Sequence, residues 1–148
     1  MISLSQVQTA AAAKLSAVPA LAAFGAPILF DLHAEPEAAA NAIAARIRAT
    51  GVCLEIGDAV APAPASAVGG GLNQLSVEFS IFAAEKTGGT HSPKGKALVD
   101  LIVAAICADQ LPNEQGFSCT GYDAAVSESG YVLHVIGFSI PITNTIIQ

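Results

Sequence analysis

Asp31, His33 and Glu35 alternate along the chain, so an extended backbone would carry all three on one side. Carboxylate and imidazole are acceptable ligands for Zn²⁺ or Mn²⁺, and such a trio would suit a small metal-dependent enzyme. Pro36 follows at once, however, and marks a helix entry. The acids then read as a solvated strand end and the first turn of a helix, and no metal is expected. Gly88-Gly89-Thr90 followed by Lys94-Gly95-Lys96 has the outline of a phosphate loop. The Walker pattern demands Gly-Lys followed by Ser or Thr, and here Ala97 stands where the Mg²⁺-holding hydroxyl belongs. His91 beside Ser92, with Asp100 downstream, suggests a hydrolase trio, but no Gly-x-Ser-x-Gly elbow exists. His134 sits mid-strand among apolar neighbours, where a satisfied core or interface histidine is expected. No paired carboxylates and no Cys–His signature stand out, and two Tyr with no Trp leave no stacking platform for single strands. The expectation is a chain that is not an enzyme, with no catalytic residue and no cofactor.

The elements that would position these residues are clearer. Ser3 to Val18 predicts a helix with Leu4, Val7, Ala11 and Leu15 as its stripe, ended by Pro19. Ile28, Phe30 and Leu32 alternate as a strand would. Glu35-Pro36-Glu37 opens a second helix whose stripe is Ala40, Ile43, Ala44 and Ile47. Carboxylates suit its positive end, Arg46 and Arg48 its negative end, and Gly51 is a natural C′ residue. Val52 to Ile56 reads as a strand. Gly57 to Gly71 is an irregular Ala/Pro/Gly connection between strands, or a mobile arm. Residues 72–84 alternate cleanly: Leu75, Val77, Phe79 and Ile81 point one way, Ser76, Glu78 and Ser80 the other. Glu85 to His91 reads as a turn. Ser92 is placed as N-cap and Pro93 at the first helical position of a helix reaching Leu111, with Leu98, Leu101, Ile102, Ala105 and Ile106 inward. Phe117 to Val126 and Tyr131 to Ile140 form a hairpin over Ser127-Glu128-Ser129-Gly130. The last strand is apolar on both faces and belongs near the sheet centre, with Pro141 ending it or marking an edge. The fold class is α+β: one domain over 1–148, a single mainly antiparallel sheet of about four strands packed with two to three helices.

Composition narrows function. The 148 residues are 53% hydrophobic and only 12% charged, against about 25% charged in ordinary domains. A thinly charged surface points to burial against other chains. Formal net charge is -6, and the six Lys and Arg form no patch, so specific nucleic-acid binding is not expected. Cys53, Cys107 and Cys119 share no close spacing and are expected as reduced thiols in a cytosolic setting. The N-terminal stretch, broken by Gln6, Gln8 and Lys14, is no signal peptide, and no apolar run of about 18 residues predicts a membrane span.

One resemblance rests on Val77-Glu78-Phe79-Ser80-Ile81-Phe82, on Gly88-Gly89-Thr90, and on the run from Lys94 to Ile102. These residues, with the element order from 50 to 142, resemble the tail terminator or tail-completion proteins of tailed bacteriophages. The resemblance implies a structural virion protein, assembled in the host cytoplasm. It implies a homo-oligomeric ring, commonly a hexamer, that caps the tail tube and joins it to the neck. DNA would only pass through, without specific binding, and an acidic lumen suits that passage. Another head–tail connector or tube component is the alternative, and the Asp31/His33/Glu35 enzyme a more distant one. On the ring reading, both irregular segments become candidate interface: Ala61, Pro62, Pro64 and Gly70 in the long connection, and Gly88, Gly89 and His91 in the short turn.

Overall fold

A computed structural model describes residues 4–60, 74–108, 116–127 and 129–143. Its centre is β3 (Gln74–Lys86), flanked by β2 (Val52–Ile56) on one side and β5 (Tyr131–Thr143) on the other. β1 (Ile28–Leu29) and β4 (Ser118–Val126) complete the order β1-β2-β3-β5-β4. Every pairing is antiparallel except the short parallel pair of β1 with β2. The fold is α+β, as the sequence predicts, with two-residue β1 as a fifth strand. β1 stops at Leu29: the Phe30 N–H still donates to Ile56 O at 2.9 Å, but Leu32 beyond it is 73% exposed.

Period-2 patterning decides which face is buried. Val52, Leu54 and Ile56 of β2, Val77, Phe79, Ile81 and Ala83 of β3, and Ile136, Phe138 and Ile140 of β5 share one face. α1 (Val7–Ser16), α2 (Pro19–Ala22) and α4 (Gly95–Cys107) cover it. α1 contributes Val7, Ala11 and Leu15, all inaccessible to solvent, whereas Leu4 stays outside in a preceding 3₁₀ turn. Pro19 opens α2 rather than merely closing α1. α4 buries Leu98, Val99, Ile102, Ala105 and Ile106. Leu101 is only half-buried, so the stripe is rotated toward Val99 from the expected one. At its middle the core is aromatic: Phe79 stacks on Phe138 and meets Phe117 edge-on, both at 5.6 Å between centroids.

The opposite sheet face is covered only in part. α3 (Pro36–Thr50) rests on it through Ile47 and Ile43, against Cys53, Ala84 and Leu133. Ala40 remains exposed, so the predicted stripe is shorter than expected. Gly51 ends α3 at φ 86°, the left-handed C′ conformation its position in the sequence suggests.

The β4–β5 hairpin forms as expected, and β5 is an interior strand. Pro141 does not end β5. It pairs with Ser76 beyond Ser139, where β4 stops, so a missing N–H removes no bond to β4.

Candidate functional site

β3 runs two residues past the predicted strand end. Glu85, expected in a turn, instead lies in register with Val52 and Val132 and points under the start of α4. Its residue is 6% exposed. An unpaired buried carboxylate would cost several kcal/mol, so the structure must surround it with donors, as it does. Oε1 accepts from His91 Nε2 at 2.9 Å and from the Gly95 N–H at 3.1 Å. Oε2 accepts from the same Gly95 N–H at 3.0 Å and from His134 Nε2. His134 Nδ1 then meets the Tyr122 hydroxyl at 2.8 Å, with the two rings stacked. Burial alone pushes the Glu85 acid up. The bonds from His134, His91 and Gly95, together with the His134 charge, outweigh it and hold the carboxyl below its usual range.

The arrangement corrects the expected helix start. The N-cap residue is Lys94, and no side chain of its own segment caps the helix. Ser92 and Pro93 lie in the preceding turn. Glu85, ten residues upstream on the sheet, accepts the first N–H and places negative charge at the positive helix end. His91 completes the brace from the connecting loop, edge-on to Phe24 at 6.3 Å. The ring fits because two neighbours lack side chains: a Cβ at Gly51 or Gly89 would stand 2.7 or 2.6 Å from its Nδ1. That Nδ1 is buried without a hydrogen-bond partner. Chemically, Tyr122–His134–Glu85–His91 is a continuous hydrogen-bonded chain, buried at its centre and reaching solvent through the half-exposed Tyr122.

The sequence-predicted residues are dispersed. Asp31, His33 and Glu35 are exposed, and Asp31 Oδ1 accepts the His33 backbone N–H at 2.9 Å, a local turn bond. Among the described residues no group of three potential metal ligands converges. Ala61, Pro62, Pro64 and Gly70 lie outside the described residues. Gly88 is exposed at φ 71° and Gly89 half-buried, in the turn after β3. His91 is not a surface contact: its side chain is 3% exposed and points inward to Glu85. His134 is the satisfied core histidine that the apolar strand suggests.

A second feature opens on the sheet face that α3 leaves bare. A cleft of about 510 Å³ is lined by Phe30, Val60 and Phe82 with Glu55, Asp58 and Glu78. Gln8 of α1 shapes its rim by donating its amide to the carbonyls of Phe30, Ile56 and Gly57, at 3.1, 3.2 and 3.1 Å. The chain enters its long connection here: the Gly57 N–H reaches Ser80 O, and Val60 pairs with Glu78. Burial pushes the Glu55 carboxyl above its usual range. No helix among the described residues is long and apolar enough to cross a membrane.

No protein-family profile matches this chain, and no curated protein does. A solved structure from Akkermansia muciniphila is similar over 95% of this chain and 73% of its own, at 10% identity and a TM-score of 0.41. A likeness at that level carries no functional argument.

Proposed function

We propose that this chain is a structural subunit of a tailed-phage virion, a ring-forming tail terminator that caps the tail tube and joins it to the neck. The observation that carries the proposal is β4. It is an edge strand nine residues long, and every one of the nine is exposed. Its one interruption is the irregularity in register between Cys119 and Gly121, and it contains no Lys, Arg or Pro and a single acid, Asp123. Edge strands of proteins that work alone are usually blunted by such residues, because open N–H and C=O groups recruit other chains. An edge that pairs with no other strand among the described residues suits a subunit that acts in an assembly, by strand addition or by packing. Val126, 80% exposed at its end, and half-exposed Tyr122 supply apolar area for that contact. The buried Glu85 network fits the same reading as a brace that fixes α4 and its loop on the sheet, and the proposal assigns it no catalytic step.

Native mass spectrometry and negative-stain micrographs of the purified protein test this. Closed rings of one stoichiometry are expected, and they should cap tail tubes offered to them. A protein that stays monomeric at micromolar concentration and leaves tube ends uncapped would overturn the proposal.

A further inference from the structure

The four cations that bond no backbone carbonyl among the described residues gather at one end of the sheet. Lys86 ends β3, and Arg48 lies in the last turn of α3 close by; both line one small hollow with Tyr131. Lys94 and Lys96 flank Gly95, whose N–H is held by Glu85 at that same end. All four residues are exposed, and none pairs with a carboxylate among the described residues. Lys14 and Arg46, by contrast, are engaged by the carbonyls of Ala108, Phe24 and Ala26. The other end of the sheet is acidic. Asp58 and Glu78 line the outer part of the cleft and Asp31 follows β1 there, while Glu55, paired with Phe82 midway along β3, closes its inner part. Glu78 and Lys86 lie eight residue steps apart on β3, about 26 Å at the ordinary rise of a strand.

Among the described residues the exposed charges on the α3 face of the sheet are therefore unevenly spread, with Lys86 and Arg48 toward one end and Asp58 and Glu78, beside an apolar cleft, toward the other. We propose that the acidic cleft receives the basic end of a second copy of this chain, with Lys86 and Arg48 of one subunit entering beside Phe30 and Phe82 of the next. Charge complementarity argues for this occupant, since the chain itself carries both halves of the contact. The long aliphatic stems of Lys and Arg cover aromatic surface while their heads meet carboxylates. A cation there would also relieve Glu55, whose charged form burial disfavours. Both half-sites lie on the sheet face that carries α3. Such a contact is heterologous, and repeated head to tail it closes into a ring when the rotation allows. The inference rests on the ring-forming reading and names its subunit contact, leaving the β4 edge for other partners.

Two charge-reversed proteins test it. One carries Asp58→Lys and Glu78→Lys, the other Lys86→Glu and Arg48→Glu, all at exposed positions. Circular dichroism and thermal melts establish that each is folded. Native mass spectrometry then gives the state of each alone and of an equimolar mixture. Each alone should dissociate, with self-association weakened roughly tenfold or more. The mixture should regain the wild-type mass, because every cleft again faces an opposite charge, and about 1 M salt should weaken the wild-type assembly. Either folded variant keeping the wild-type mass alone, or a mixture that stays dissociated, would overturn this contact while leaving the ring reading in place. A monomeric wild-type protein would overturn both.

Discussion

The Glu85 carboxylate holds together three parts of the chain that are distant in sequence: the Gly95 helix start, the His91 loop and the His134 strand. Removing it leaves three buried donors facing no acceptor. Glu85→Ala should therefore destabilise by about 3–5 kcal/mol in urea titrations, the range for breaking one side of a buried charged cluster. Its folded pKa lies below the unfolded 4.5, so the carboxylate's contribution is present above that pH and is lost as pH falls through the folded value. The stability gap between wild type and Glu85→Gln should accordingly shrink as pH falls below 4.5. A gap that widens in acid would mean that the histidines, not the carboxylate, carry the network. The cysteines differ in the same physical terms. Burial pushes the Cys53 thiol up to about 11, while Cys119 is exposed. Iodoacetamide at pH 8 should label Cys119 first and spare Cys53 until the protein unfolds, as peptide mass mapping would show.

At the scale of elements, α4 gives the sharpest contrast. Ile102 is wholly buried against the sheet and Leu101 half-buried. Ile102→Ala should cost about 2–5 kcal/mol, and Leu101→Ala distinctly less, in chemical denaturation. Equal losses would place the buried stripe where sequence periodicity alone puts it. Leu98, Ile102 and Ile106 satisfy the helical period however the helix is rolled, and only contact with the sheet selects Val99 over Leu101. The strands were more legible, because a period of 2 leaves just two choices of face, and Val77 to Ile81 and His134 to Ile140 fill one of them. The end of β3 was not legible. Glu85, Lys86 and two glycines have turn chemistry locally, yet pairing with Val132 and Tyr131 keeps the strand going. The helix cap was hidden for a related reason. Ser92-Pro93 is a sound local start signal, but the acceptor that wins comes from the sheet, and no rule of local spacing connects Glu85 to Gly95. The weak stripe of α3 follows from its alanines, which satisfy a helix without requiring burial.

Among the described residues the molecule has one well-covered sheet face, one face that α3 covers only in part, unevenly spread surface charges and an edge strand, β4, paired on one side. The bare face and the charged ends were not visible in the sequence, since Glu55, Asp58 and Glu78 join Phe30 and Phe82 only when β1, β2 and β3 align. The open edge makes its own prediction. Val126 stands 80% exposed at the end of β4, where replacing it touches no core neighbour. A lysine there adds a charge that an approaching strand would have to desolvate, the device by which natural edges discourage pairing. Val126→Lys should leave folding stability within about 0.5 kcal/mol, as surface substitutions do. It should nonetheless reduce attachment to the tube end, read by counting capped tubes in micrographs. Its effect should be separable from charge reversal in β3 and α3, because β5 lies between the β4 edge and β3. If Val126→Lys caps tubes as well as wild type does, β4 is not the attachment surface. Exposed apolar side chains away from β4, such as Leu32 at 73% exposure, would then be the next surface to test.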